Sequence, residues 1–159
     1  MKSSVLACLA LLSVSARAAP TPARVSPSLG VDWASVPGVK SLNFGSYKDT
    51  PYLRDAGYFK KAATELDRQW SAQGQKGRCN VKTAEIVSFS MTKAAELPLL
   101  ENTVLAQIRT RMKVQPLGAD SPPKFFQITG PGKTAFMSFS RVFLPDQPPV
   151  LTLRTCQMQ

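Results

Sequence analysis

The chemistry open to this chain is limited first by a residue type it lacks. The sequence holds no histidine. That removes the commonest general base, the Ser-His and Cys-His nucleophile arrangements, and imidazole metal ligation. Of its three cysteines, Cys8, Cys79 and Cys156, the last two are better used in a disulfide. A zinc site then has no good ligands, and no metal or other cofactor is expected. What remains for an enzyme is a carboxylate pair or a Ser-Lys dyad.

Two short motifs suggest more than their context supports. Gln127 to Thr134, QITGPGKT, resembles the end of a phosphate-binding P-loop. Gln127 stands where the first glycine belongs, and the residues that follow look like a strand, whereas the motif needs a helix N-terminus to hold phosphate. Gly130-Pro131-Gly132 is turn chemistry in its own right. Ser90-Met91-Thr92-Lys93 fits Ser-x-x-Lys, and Lys133-Thr134-Ala135 is near Lys-Thr-Gly. These pieces resemble the penicillin-binding and β-lactamase set. The Ser-Asp-Asn element is absent, the chain is too short for that fold, and Ser90 sits in a strand pattern. Among carboxylates, Asp49 and Asp55 flank a helix start, where the dipole favours negative charge. Glu96 and Glu101 fall in an expected loop. None has a partner at a spacing that supports acid-base work, and no catalytic residue is assigned.

Contact chemistry is better represented. Arg109, Arg111 and Lys113 alternate with Ile108, Thr110, Met112 and Val114, and no acid occurs between Glu101 and Asp120. On a strand this sets three cations on one face, about 7 Å apart. Such a ladder is either a solvated face or an anion-contacting surface. Phe125 and Phe126 are adjacent, so on a strand they face opposite sides. Unless both faces are covered, one is exposed and becomes a contact candidate. The expected contact residues are therefore Arg109, Arg111, Lys113, Phe125 and Phe126.

The elements that must position these residues begin with an export segment. Lys2 precedes an apolar run from Val5 to Val14, and Ala16-Arg17-Ala18 is an A-x-A cleavage site. The run is too short to span a membrane. Residues 1–18 read as a cleaved signal peptide of bacterial character, which implies a periplasmic or secreted protein. Cleavage removes Lys2 and Arg17, leaving 18 basic residues against 10 acidic ones, a net charge of +8. In an oxidising compartment Cys79 and Cys156 pair as a disulfide.

Residues 19–38, with Pro20, Pro22, Pro27 and Pro37, read as a linker-like arm at least to Gly30, with Trp33 and Val36 as anchors at its end. Residues 39–159 form one domain. Its most legible element runs from Thr50 to Gly74. Thr50 suits an N-cap, Pro51 the first helical position and Gly74 the stop. Tyr52, Ala56, Phe59, Ala63, Leu66 and Trp70 make one apolar stripe at the helical period. Strands are expected at 39–44, 81–92 and 149–155, with a hairpin over 124–144 around Gly130-Pro131-Gly132.

Residues 97–114 read two ways. Alternation over 104–114 favours a strand, and the four-spaced series Leu100, Val104, Ile108, Met112 favours a helix. The alternation is the longer pattern, which supports the strand. The disulfide opposes it. It joins the start of 81–92 to the end of 149–155, which must approach within about 7 Å. In a simple five-strand meander those points lie at opposite ends of the sheet, and a twelve-residue strand is roughly 40 Å long.

The expected architecture is α+β: one main amphipathic helix packed on an antiparallel sheet of four or five strands, with one disulfide. This order of elements is similar to cystatin-like and related helix-on-sheet folds. The functional expectation is an exported non-catalytic binding or assembly module, contacting a protein or an anionic envelope component. The net charge serves either solubility alone or anionic partners, and with no basic run longer than two residues neither reading prevails; nucleic acid is not the expected partner. The alternatives are an inhibitor or immunity-type protein acting through a loop such as 93–102 or 116–123, and a small enzyme using carboxylates.

Overall fold

The computed structural model describes residues 24–159. The expected signal segment 1–18 and residues 19–23 of the arm lie outside the described residues. The fold is α+β, with one antiparallel sheet of six strands, more than the four or five expected. The strands are β1 (Ser41–Ser46), β2 (Glu85–Ser90), β3 (Lys113–Leu117), β4 (Lys124–Gly130), β5 (Lys133–Val142) and β6 (Val150–Gln157). The helices are α1 (Pro51–Asp55) and α2 (Tyr58–Ala72) between β1 and β2, and α3 (Leu97–Arg109) between β2 and β3. Across the sheet the order is β1-β2-β6-β5-β4-β3.

That order resolves the disulfide conflict. α3 carries the chain from β2 to the far edge of the sheet. The meander β3-β4-β5-β6 then returns inward until β6 pairs with β2, Glu85 opposite Thr155. In an antiparallel pair the start of one strand meets the end of the other. Cys79 and Cys156 therefore meet in a disulfide, their Cα atoms 5.6 Å apart.

Residues 104–114 are not a strand. Leu97, Leu100, Glu101, Val104, Leu105 and Ile108 are the buried face of α3, a helical stripe. The apparent alternation came from reading across a helix, a turn at Thr110–Met112 and the first residues of β3. Pro98 also sits in the first turn of α3, where its missing N–H is harmless.

The long Thr50–Gly74 helix is in fact two. Gly57 adopts φ 77°, in the left-handed region, and separates α1 from α2. Phe59, Ala62, Ala63, Leu66 and Trp70 are buried, as the stripe required. Tyr52 is 72% exposed and Ala56 is exposed, because the break turns α1 away from the α2 axis. Thr50 does not cap α1. Its hydroxyl accepts from Ser46 N–H at 3.1 Å instead.

Both faces of the sheet are covered. α2 packs on one face against Phe136, Cys156 and Ile86; Trp70 and Phe136 ring centroids lie 4.8 Å apart. α3 packs on the other face against Val87, Phe89, Met137, Phe139 and Leu153, together with the N-terminal segment. That segment is not a linker as far as Gly30. Leu29, Val31, Trp33 and Val36 are all buried in this core, and Trp33 meets Phe89 edge-on with centroids 5.8 Å apart. Ser26 and Ser28 pin it to Glu85. Its prolines and serines mask apolar residues spaced two or three apart.

Candidate functional site

Three of the five expected contact residues converge on one cleft. It lies where the C-terminal half of α3 passes over the β3–β4 end of the sheet. Its volume is about 360 Å³, and Asn102, Leu105, Arg109, Leu117, Lys124, Phe125 and Phe126 are among its lining residues, together with residues 118–120.

The placement of the two rings follows from strand alternation. Phe125 points to the α2 face and stacks on Phe136, centroids 6.0 Å apart. Phe126 points to the α3 face and meets Phe139 edge-on at 5.6 Å. Because both faces are covered, neither ring stands out as a free patch. Phe126 is only 5% exposed and Phe125 is half-buried. Both residues reach the lining of the cleft at the sheet edge, and Phe126 is almost wholly buried.

The basic ladder does not exist as one strand face. Arg109 is the last residue of α3, Arg111 lies in the following turn, and Lys113 opens β3. Only Arg109 of the three lines the cleft. Its place in the last helical turn is favourable, since exposed C-terminal carbonyls attract a cation. Arg111 reaches back to the N-terminal segment and donates from Nη1 to the Gly30 carbonyl at 2.7 Å. It staples two parts of the fold. Lys113 is exposed.

Behind the cleft lies an ion network that the sequence reading missed, having assigned Glu101 to a loop. Glu101 is 2% exposed. Its Oε1 accepts from Arg141 Nε at 2.7 Å, and its Oε2 lies 3.3 Å from Lys124 Nζ. Lys124 Nζ also lies 3.1 Å from Asp120 Oδ1. The hydrogen bond that Lys124 donates to Asp120 holds its ammonium above the ordinary lysine pKa, with Glu101 adding to the effect and partial burial opposing it. The hydrogen bond to Glu101 likewise raises Arg141. Two cations and two carboxylates balance, which leaves Arg109 as the uncompensated charge of the cleft; among the described residues it forms no salt bridge. The available signal was the spacing of Glu101 from Leu97, Val104, Leu105 and Ile108, legible once 97–109 is read as a helix.

In chemical terms the cleft offers apolar lining residues, one free guanidinium and the Asn102 amide. Lys124 is kept protonated, which removes it as a base or nucleophile, and both oxygens of Glu101 are occupied. Most of the other carboxylates are engaged as well, Asp146 being exposed and without a partner among the described residues. Asp49 accepts from Ser46 Oγ, Asp55 pairs with Arg54, Asp67 accepts from Cys79 N–H, Glu65 pairs with Arg68 and Glu96 accepts from Lys93 N–H. Lys133 and Thr134 open β5, directly across a two-residue turn from Gly130. The P-loop-like stretch is thus a hairpin. Among the described residues no group of His, Cys, Asp and Glu is placed to hold a metal ion, and no helix is long and apolar enough to cross a membrane.

Fold and cleft together define a class: an α+β domain with a single six-stranded antiparallel sheet, helices on both faces, one disulfide and one mixed apolar-cationic cleft. Compared with family models, with curated proteins and with solved structures, the chain matches none.

Proposed function

We propose that the protein is an exported, non-catalytic binding module whose cleft between α3 and the β3–β4 end receives an anionic group with an apolar body. The group belongs to a partner protein or to an envelope component. The observation that carries this reading is the uncompensated cation of the cleft, Arg109, in a lining that also holds Leu105, Leu117 and Phe125. A partly buried apolar surface with few polar fixing groups is what ligand sites generally share. Export is supported by the signal-like N-terminus and by the disulfide, a bond at home in oxidising compartments. A non-catalytic role is supported by the absence of histidine and by the engagement of Glu101, of most other carboxylates and of Lys124.

The test compares Arg109→Glu with Lys76→Glu, a reversal at an exposed lysine that does not line the cleft. Each is titrated with a sulfated polysaccharide and with anionic phospholipid vesicles, and crosslinked in an envelope extract. Selective loss with Arg109→Glu, together with weaker binding as salt rises, supports the cleft. Equal loss in both variants means that bulk charge alone attracts the probe, and the cleft is then not the site.

A second reading has its own observation. Residues 118–123 form a fully exposed loop beside the cleft, ending in Pro122-Pro123, while 93–102 is occupied by helical turns and the start of α3. An inhibitor or immunity-type protein would act through 118–123. Deleting Ala119 to Ser121 would abolish inhibition of the target hydrolase if this second reading holds.

A further inference from the structure

The two edges of the sheet are treated differently. At one edge, β3 carries Pro116. Proline cannot donate to a ladder, so within a paired strand it belongs where its nitrogen points away from the neighbour, and there it blunts the edge against another strand. At the other edge, β1 reads SLNFGS, with no proline and no charge inside it. Tyr47 N–H bonds the Ala84 carbonyl at 3.1 Å, which sets the phase of the ladder. Odd-numbered residues bond β2, while Leu42, Phe44 and Ser46 direct N–H and C=O outward. The outward N–H of Ser46 is taken by Thr50 Oγ1. Those of Leu42 and Phe44 have no partner among the described residues. The open edge thus has a defined end at Ser46.

The side chains along this edge are sorted by face. Leu42 and Phe44 are half-buried against the core that holds Val87 and Phe89. Ser41 and Asn43 are exposed. An added strand would therefore meet an apolar ledge on one face and polar residues on the other. Cations stand at both ends: Lys40 and Arg24 before β1, with Arg24 and Lys40 sharing a small cavity with Leu42, and Lys48 after it. The nearby acids are already used. Asp49 accepts from Ser46 Oγ, and Asp32 caps the turn at Trp33.

We propose that β1 accepts an added strand from a partner polypeptide, an extended acidic segment whose alternate residues are apolar. Charge decides between this occupant and a second copy of the chain. Antiparallel pairing of two β1 strands sets Lys40 of one copy beside the Lys48 end of the other, and like charges directly opposite destabilise a strand pair. An acidic segment meets the same cations favourably, and backbone pairing with side-chain alternation is the general mode of strand addition. The site lies at the far edge of the sheet from the α3–β4 cleft, so it stands or fails independently of that cleft.

The test uses a synthetic peptide of alternating Glu and Val, with an alternating Lys and Val peptide as control, titrated into the full domain while backbone amides are followed by NMR. Saturable binding of the Glu peptide alone, with Leu42 and Phe44 amides shifted and protected from exchange, supports the proposal. Phe44→Pro removes one outward donor and is expected to weaken binding at least tenfold; Leu42→Pro serves if that variant does not fold. Lys40→Glu with Lys48→Glu is expected to weaken it severalfold and to admit the Lys peptide. No saturable binding up to about 1 mM, binding with β1 amides unmoved, or a dimer that Phe44→Pro dissociates would each overturn it.

Discussion

Ser26 Oγ donates to Glu85 Oε2 at 2.5 Å, joining residues 59 positions apart in a site where Glu85 is 1% exposed. The backbone N–H of Ser28 donates to the other oxygen at 2.6 Å. The carboxylate thus fastens the N-terminal segment to β2 without a cation in contact. Burial pushes its pKa above the usual carboxylate range, against the opposing effect of the two serines and a distant contribution from Lys133. The folded protein then binds this proton more tightly than the unfolded chain does. Between the unfolded value of about 4.3 and the raised folded value, folding takes up a proton, so this group's contribution to stability falls as pH rises. Stability measured against pH should therefore decline more steeply for the wild type than for Glu85→Gln across that window. A Glu85→Gln curve parallel to the wild type would show that the carboxylate is not titrating differently in the two states.

The Cys79–Cys156 bond spans 77 residues and links the approach to β2 with the end of β6. Closing so long a loop restricts the unfolded chain by about 4 kcal/mol in the entropic account. The double variant Cys79→Ser, Cys156→Ser should lose stability of that order in denaturant titration, and thiol labelling of the native protein should find neither Cys79 nor Cys156 free. Two reactive thiols in the native protein would sink the expectation.

Gly57 distinguishes a broken helix from a continuous one by sign. In an unbroken Thr50–Gly74 helix, Gly57→Ala would stabilise by about 1 kcal/mol. At φ 77° with open space around it, alanine instead meets backbone strain of about 1–2 kcal/mol, and the variant should be less stable. The same division predicts that Leu66→Ala, at a position 1% exposed, costs about 2–5 kcal/mol. Tyr52→Ala and Lys61→Ala, both at exposed positions, should be nearly neutral.

Glu101 is the shared anion of Arg141 and Lys124. Glu101→Ala leaves two partly buried cations without it, and the loss of one member of a buried pair typically costs about 3–5 kcal/mol. Lys124 and Arg141 keep 20% and 23% side-chain exposure, so water softens the penalty and the lower end is expected. Asp120→Asn, at a fully exposed partner, should leave stability nearly unchanged, since water screens such a pair.

What the sequence settled by itself is what local chemistry can settle. The Gly130-Pro131-Gly132 turn, the alternation in β2, the Phe59–Trp70 stripe and the cysteine pairing each depend on neighbours a few residues away or on composition, and each is present. Three features were decided only by tertiary structure. Residues 104–114 carry both periods, and burial of Leu100, Val104 and Ile108 against the sheet selected the helix for 97–109. The arm declares only its end, through Trp33 and Val36, yet Leu29 and Val31 before them also fill the core beside α3, and Glu85 waits for Ser26 and Ser28. The cleft exists because β3 and β4 pair at the sheet edge beneath α3. No spacing along the chain reports that Arg109, Lys124 and Phe125 share one surface, since strand order is set by long-range pairing and not by the residues that happen to be adjacent in sequence.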